Sequence, residues 1–332
     1  MRVFVFGDCH FGFSKFSSVE KVQWEIERWV LDNVERYGCD MVVFLGDRFK
    51  KRDPEGVVRD RADEIFLNIA KRVDRMICVC GNHDFYYKVG RENSYGVLGR
   101  LSDGKIFVVD NWFDVVVGDR KLRFIAWGCD LSEVPREEVD IVFGHFEFED
   151  MFFWSKSGVK VSDLCFSRYI FSGHIHYPVF SEKVLGDSRV ISVVYLGVPY
   201  ERGFGDDSSV GGVVIDLSDM SFVSVGGFGV CFVRYDGSFE RVGGNIVYVD
   251  ERYVREDPVL LEKLKDAGAV DVVVCKEEVE YEIDLSDVER ELRVERSGID
   301  YYVLLDDYAK VVGLREEEVE FGKEFLRRAL NG

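Results

Sequence analysis

The chain has 332 residues, 47% of them hydrophobic and 14% aromatic, with only 5 prolines, a composition that excludes a disordered or low-complexity protein. Its formal net charge of -19 excludes broad attraction to a polyanion, so any nucleic-acid contact must be a local basic patch, a metal site or a surface completed by a partner. The eight cysteines are scattered with no C-x-x-C pair, the opening MRVFVFGDCHFG carries no secretory signal, and no apolar run approaches the roughly 18–20 residues of a membrane span; a cytoplasmic chain with reduced thiols is expected.

In chain order, RVFVFGD (2–8) reads as a strand that ends in Gly-Asp. The spacing of Val22, Ile26, Trp29, Val30 and Val34 predicts a helix over 19–37. CDMVVFLGD (39–47) is a second strand with the same ending, a helix follows over 57–72, and RMICVCGNHD (75–84) is a third strand running into a loop. This β-α-β-α-β order predicts a parallel sheet with right-handed crossovers. After residue 104 come strand-like runs joined by short turns: KIFVVD, FDVVVG, KLRFIAWG, VDIVFGH, RYIFSGHIH, VISVVYLG and GGVVIDL. The fold class expected is therefore α/β, two sheets packed face to face with helices outside. Groups at the carboxyl ends of the strands then converge on one edge.

The glycines of GGFGVCF suggest a boundary near 226, and VCFVRY, NIVYVD and VDVVVC are further strand candidates. Residues 284–332 show helical spacing and end in REEEVEFGKEFLRRAL, acidic early and basic late as the helix dipole prefers. Residues 251–332 hold 23 acidic and 13 basic residues, so -10 of the -19 lies there. The expected organisation is 1–226 as the main domain, 227–283 as a smaller α+β cap, and 284–332 as a helical segment.

The five histidines are His10, His83, His145, His174 and His176, and every one follows a predicted strand. Asp8, Asp47, Asn82 and Asp84 stand at the same strand ends. In an extended segment residues i and i+2 point to the same side, so Asp8 with His10, and His174 with His176, can converge. Oxygen and imidazole donors together suit Mn²⁺, Fe or Zn²⁺, whereas a thiolate-rich set would indicate structural zinc. Seven ligands are too many for one ion, and two ions sharing a carboxylate are the natural solution. Glycines precede Asp8, Asp47, Asn82, His145 and His174, where tight turns at strand ends are expected.

In order and spacing, D-x-H, G-D, G-N-H-D, G-H and G-H-x-H over residues 1 to 200 resemble the calcineurin-like metallophosphoesterases. The resemblance implies that Asp8, His10, Asp47 and His176 bind one metal, and that Asp47 bridges to a second held by Asn82, His145 and His174. Mn²⁺ is the expected ion, with Mg²⁺, Fe²⁺ and Zn²⁺ as alternatives. His83 would be no ligand but would face the scissile phosphate, with Asp84 orienting its ring. Two cations about 3.5–4 Å apart lower the pKa of a shared water and neutralise phosphate oxygens during in-line attack. A histidine near its operating pKa that protonates the leaving oxygen contributes roughly 10²–10⁴-fold.

Within that superfamily, VVYLGVPYERGFGDDSSVGGVVIDL resembles the Y-x-G-x-P segment of SbcD-type repair nucleases, and GHFEFEDMFFWSKSGVKVSD with SGHIHYP is similar to the nuclease subunit of T-even phages. The resemblance implies a DNA exo/endonuclease for recombination and break processing, a homodimer within a heterotetramer, in which 284–332 docks on an SbcC-like ABC-type coiled-coil ATPase, in a cell's cytoplasm or, for a phage protein, its host's. Two departures stand out. Lys50 occupies the place of a His or Asp that follows G-D-x-F in that family, and the acidic residue after Y-x-G-x-P has an approximate counterpart at Asp206 or Asp207. Lys50, Lys51, Arg52, Arg59 and Arg61, then Tyr86, Tyr87, Lys88 and Arg91, could contact phosphates and stack on a base; they could equally be a solvated helix face and loop packing. The rival readings are a stand-alone phosphatase or cyclic-nucleotide phosphodiesterase, and a scaffold subunit of the ATPase complex.

Overall fold

Val3–Phe6, Met41–Phe44 and Met76–Val79 are buried on both faces, which is why these strands read as unbroken apolar runs instead of alternating ones. The structure, a computed structural model, describes residues 1–275 apart from 88, 89, 153, 154, 156 and 187. Lys88 and the segment 284–332 therefore lie outside the described residues, as do 276–283. All described residues belong to one compact unit.

The elements in order are β1 (Arg2–Phe6), α1 (Ser17–Val22), α2 (Ile26–Tyr37), β2 (Met41–Phe44), α3 (Gly56–Lys71), β3 (Arg75–Val79), α4 (Leu98–Leu101) and β4 (Ile106–Val109). There follow β5 (Trp112–Val117), β6 (Arg120–Ile125), β7 (Val139–His145), β8 (Ser167–Gly173), β9 (Pro178–Val184), β10 (Val190–Leu196), β11 (Gly212–Asp216) and β12 (Ser221–Val225). The first sheet runs β12-β11-β1-β2-β3-β4 and the second β5-β6-β7-β8-β10-β9. Strands β1 to β4 are mutually parallel, as are β6, β7, β8 and β10, while β11, β12, β5 and β9 pair antiparallel at the flanks. Two mixed sheets with flanking helices make the α/β sandwich expected of the sequence.

Two local departures have physical reasons. The helix expected over 19–37 is interrupted at Gln23–Glu25 by a 3-10 turn, and the Gln23 side chain leaves the helical pattern to accept the Gly12 N–H at 3.0 Å. Strands β9 and β12 were not legible as apolar runs, because most of their residues are exposed or half-exposed at sheet edges. Helix α2 ends where Gly38 adopts φ 63°, the left-handed residue that lets Cys39 N–H bond to Val34 C=O.

One continuous core covers both faces of the first sheet: Phe6 and Phe44 pack against Trp29 of α2 and Phe66 of α3, while Phe124, Phe143 and Phe171 of the second sheet stack on one another. A second fills the other face of the second sheet, where Phe146, Phe148, Phe152, Val161 and Leu164 of an irregular segment cover Ile170, Val193 and Tyr195. Beyond β12 the chain forms a third, fully parallel sheet from β13 (Phe232–Arg234), β14 (Ile246–Asp250) and, after α5 (Glu251–Glu256) and α6 (Leu260–Asp266), β15 (Asp271–Cys275). Phe232 and Ile246 of this sheet pack on Phe16 and Val19 near α1. All eight cysteines are free thiols, four of them buried.

Arg48 sits in the core wall with no exposed surface. Its guanidinium bonds Asp63 of α3 at 2.6 Å and the Ser94 carbonyl at 2.8 Å, and lies 4.3 Å from the Phe49 ring and 4.6 Å from the Tyr95 ring. Removing it leaves Asp63 unpaired and opens a void beside the loops that follow β2 and β3. Arg48→Ala is expected to lower unfolding stability by about 3 kcal/mol, the low end for a broken buried pair because Asp63 is partly exposed; chemical denaturation of the metal-free protein measures it.

Candidate metal centre

Strands β1, β2, β3, β7 and β8 all present their carboxyl ends at one edge of the sandwich, and the loops leaving them carry the polar residues. Asp8 and His10 follow β1, Asp47 follows β2, Asn82 and His83 follow β3, His145 ends β7, and His174 and His176 follow β8. Three sets of ligand atoms lie within 4.8 Å of one another: Asp8, His10 and His176; His10, Asp47 and His83; and Asp47, His145 and His174. Asn82 Oδ1 bridges the last group, 3.0 Å from His145 Nε2 and 3.1 Å from His174 Nδ1. All seven expected ligands are thus brought together.

The tautomers decide what this cluster can hold. A carbonyl or carboxylate oxygen only accepts, so a ring nitrogen facing one carries the proton. His145 Nδ1 faces the Leu45 carbonyl at 2.7 Å, His174 Nε2 faces Glu147 Oε2 at 2.8 Å, and His176 Nδ1 faces Asp206 Oδ1 at 2.8 Å. With those protons on the outer side, each ring in its neutral form, the form a cation requires, turns its bare nitrogen inward. There His176 Nε2 meets His10 Nε2 at 2.9 Å, and Asp47 places one oxygen 3.6 Å from His10 Nε2 and the other 3.5 Å from His145 Nε2. Lone pairs and carboxylates aimed at common points, with no thiolate among them, fit divalent cations of the Mn²⁺, Fe²⁺ or Zn²⁺ kind. The Asp47 carboxylate belongs to two of the three groups and would be the one shared if two cations bound.

Electrostatics report the same conflict. Burial resists the charge on Asp47, yet the His145, His10 and His83 rings hold its carboxyl far below the usual range. Burial lowers His145, but the adjoining Asp47 outweighs it and lifts the ring to about 9. Burial drives His10 down to about 3 and raises Asp8.

Convergence is achieved differently from the extended i, i+2 alternation expected of Asp8 with His10 and His174 with His176. Asp8 (φ 51°), His10 (φ 46°), Asp47 (φ 56°) and His174 (φ 88°) are all left-handed, at about 1–2 kcal/mol each for residues with a Cβ. The ligands themselves turn the chain, and the neighbouring glycines mostly supply room. A Cβ on Gly81 would overlap the Asp47 carboxylate, and one on Gly173 would stand 2.8 Å from both Asp8 Oδ2 and His145 Nδ1.

Asp84 does not orient His83, contrary to expectation. Its carboxylate is fully buried and accepts the backbone N–H groups of Asp47, Arg48 and Gly81 at 2.8, 3.0 and 2.8 Å, tying the β2 and β3 loops together. The His83 ring is held instead by the Lys50 carbonyl, 2.8 Å from Nδ1, so Nε2 is left free on the side of His10, whose ring lies edge-on at 5.1 Å. Glu147 escaped the sequence reading, although its position two residues after His145 was a usable signal. Of the two acidic residues near 206, Asp206 meets His176.

The basic cluster is largely committed elsewhere. Lys51 pairs with Glu55, Arg59 with Asp53, and Arg61 lies over Trp24. Arg52 donates to the Phe85 carbonyl and Arg91 to the Trp127 and Gly128 carbonyls, bracing the loop that carries His83. Tyr86 packs under Arg59, and Tyr87 is exposed. Only Lys50 among these basic side chains has no partner within the described residues.

The pH response of the metal-free protein has a definite sign. The folded pKa of His145, about 9, exceeds its ordinary 6.5, so its stabilisation is complete below 6.5 and is lost as pH rises through 9. A cation on the same nitrogen favours the deprotonated ring. The Tm difference between Mn²⁺-loaded and chelator-treated protein should therefore widen from pH 6.5 to 9; a constant difference would count against ligation by His145.

No curated protein sequence matches the chain. Among solved structures, a dimetal phosphatase from Danio rerio shares 13% identity at a TM-score of 0.43, covering 68% of this chain and 96% of that one. A protein of unknown function from Aquifex aeolicus shares 13% at 0.30, covering 53% and 80%, and the nuclease MPE of Pseudomonas putida shares 15% at 0.31, covering 64% and 82%. Residues 1–178 match the calcineurin-like phosphoesterase family. That match runs over more than half of the chain and takes in every converging ligand from Asp8 to His176, and on it the chain belongs to the calcineurin-like phosphoesterases, a family of metal-dependent hydrolases.

Proposed function

We propose that the protein is a DNA nuclease of the SbcD type, hydrolysing phosphodiester bonds at this centre. One observation carries the polymer over a small ester. Large aromatic side chains stand exposed on the loops that bear the ligands: Phe13 (51% exposed) after His10, Tyr87 (66%) after His83, Tyr177 (38%) beside His176, and Phe204 (44%) before Asp206. Partly exposed rings around a phosphate site are suited to stacking on unpaired bases, a contact worth about 1–3 kcal/mol per base and indifferent to sequence.

When bound, the metal pair supplies a nucleophile at neutral pH and cancels phosphate charge. The chain's own residues do the rest. Because the Lys50 carbonyl accepts a hydrogen bond from His83 Nδ1, Nε2 is the atom that takes up a proton and delivers it to the leaving oxygen. Glu147 and Asp206 hold the rings of His174 and His176 in the tautomer that ligation needs. His83→Asn should lower turnover on single-stranded DNA about 10²–10⁴-fold with Mn²⁺ loading intact. Wild-type protein that hydrolyses bis(p-nitrophenyl) phosphate but cleaves neither single- nor double-stranded DNA would sink the nuclease reading.

The engagement of Lys51, Arg52, Arg59 and Arg91 within the fold favours a second reading, a phosphodiesterase for small substrates, since it leaves little free basic surface for a duplex backbone. The partner belongs to the proposal as well: the acidic, apolar-rich 284–332 is read as the docking segment for an ABC-type coiled-coil ATPase. Deleting it should abolish co-purification with that ATPase while cleavage of the small diester persists; retained co-purification would remove the partner from this account.

A further inference from the structure

Trp127 lies on the turn AWGCD (126–130) that leaves β6, and its half-buried indole stands against two of the ligand rings. It faces the His174 ring at a centroid distance of 4.8 Å, tilted by 32°, and meets the His145 ring nearly at right angles at 5.9 Å. Among the described residues it makes ring contact with neither His10 nor His176. The backbone beneath the indole is fixed from both sides. Trp127 N–H donates to the Cys80 carbonyl just after β3 at 2.9 Å. The Trp127 and Gly128 carbonyls accept the two arms of the Arg91 guanidinium at 3.0 and 2.8 Å. Arg91 belongs to the loop that carries His83, so one planar fork ties that loop to the turn bearing the indole.

His174 needs such a brace more than the other members of its group. Its side chain is 19% exposed, against 0% for His145 and 2% for Asp47. Its polar contacts are both made through ring nitrogens, Nε2 to Glu147 at 2.8 Å and Nδ1 to Asn82 at 3.1 Å. Hydrogen bonds to ring nitrogens run close to the ring plane, and two of them leave the ring able to rock about the line that joins the nitrogens. A contact on the ring face stops that motion. An imidazole carrying a cation is also electron-poor, and the face of an indole attracts positive charge held within about 6 Å of its centroid. The same contact thus fixes the ring and favours its metal-bound form.

We propose that Trp127 is a positioning residue of the metal centre: its indole holds the His174 ring toward the point that His174 shares with Asp47 and His145, and sets the affinity for a cation at that point. This rests on the metal chemistry of the family and holds for a nuclease or for a small-substrate enzyme alike. Trp127 acts through His174, and Arg91 acts through Trp127.

Mn²⁺ is the probe, titrated into the metal-free full chain by calorimetry. Trp127→Ala should weaken one Mn²⁺ site about 10- to 100-fold and leave the other at the wild-type affinity. Trp127→Phe, which keeps a ring face, should recover most of the loss. The weakened site should be the one that Asn82→Ala also weakens, and Trp127→Ala should add less in that background than alone. Two unchanged sites in folded Trp127→Ala protein, or two sites weakened alike, overturn the assignment, as does a phenylalanine variant no better than the alanine one. Should Trp127→Ala not fold, Trp127→Leu, which has bulk but no ring face, decides by the same criteria. Wild-type protein that binds no Mn²⁺ overturns the assignment together with the metal reading. Wild-type protein that binds Mn²⁺ yet leaves DNA intact removes the nuclease reading alone, because the two affinities still decide the role of Trp127.

Discussion

Everything at the centre depends on where the outward-facing ring nitrogens place their protons. Leu45, Glu147 and Asp206 accept from the outer nitrogens of His145, His174 and His176, so in the neutral rings the inner nitrogens are bare and face carboxylates, the Asn82 amide and one another. Such an arrangement is repulsive by itself and becomes favourable only with cations at the points of convergence. The three acceptors differ in kind: one is a main-chain carbonyl of a buried strand end, the others are carboxylates of loops. A backbone oxygen cannot be titrated or mutated away, which makes His145 the most firmly oriented of the three.

Main-chain strain is the second expense of the site. Four ligands sit in the left-handed region, and the surrounding bonds hold them there: Asp8 N–H to the Gly46 carbonyl, His10 N–H to the Asp47 carbonyl, and His174 N–H to the Asp8 carboxylate. Asp84 and Arg48 extend this bracing below the metal layer. The buried carboxylate collects three N–H groups from two loops, and the arginine anchors those loops to α3. A residue that the motif makes look catalytic is here a clamp on the backbone.

The parallel strands explain why five separate loops meet. Both sheets run β1, β2, β3 and β7, β8 with carboxyl ends at the same edge, so each loop needs only one turn to face the others. The fold and the set of clustered donors were legible in the sequence because they follow from strand patterns and residue type, whereas a division about Asp47 was only what the resemblance implied. Outer partners were not, since Glu147 and Asp206 act across 27 and 30 residues, and the Lys50 carbonyl across 33, through contacts that exist only after the sheets have packed.

The basic stretch after Asp47 shows the same division. Its charges are plain in sequence, but whether a cation is free is a question of distance to the nearest acceptor. Arg52 and Arg91 turned inward to loop carbonyls. By itself the sequence determined the sandwich and which donor residues cluster, because hydrophobic period and donor type are local properties, and the order of its motifs pointed to the phosphoesterase family. Tertiary structure alone decided the outer partners of the histidines, the duty of Asp84 and the pairing of the basic side chains, because each depends on which acceptor a folded chain brings within about 3 Å of a donor.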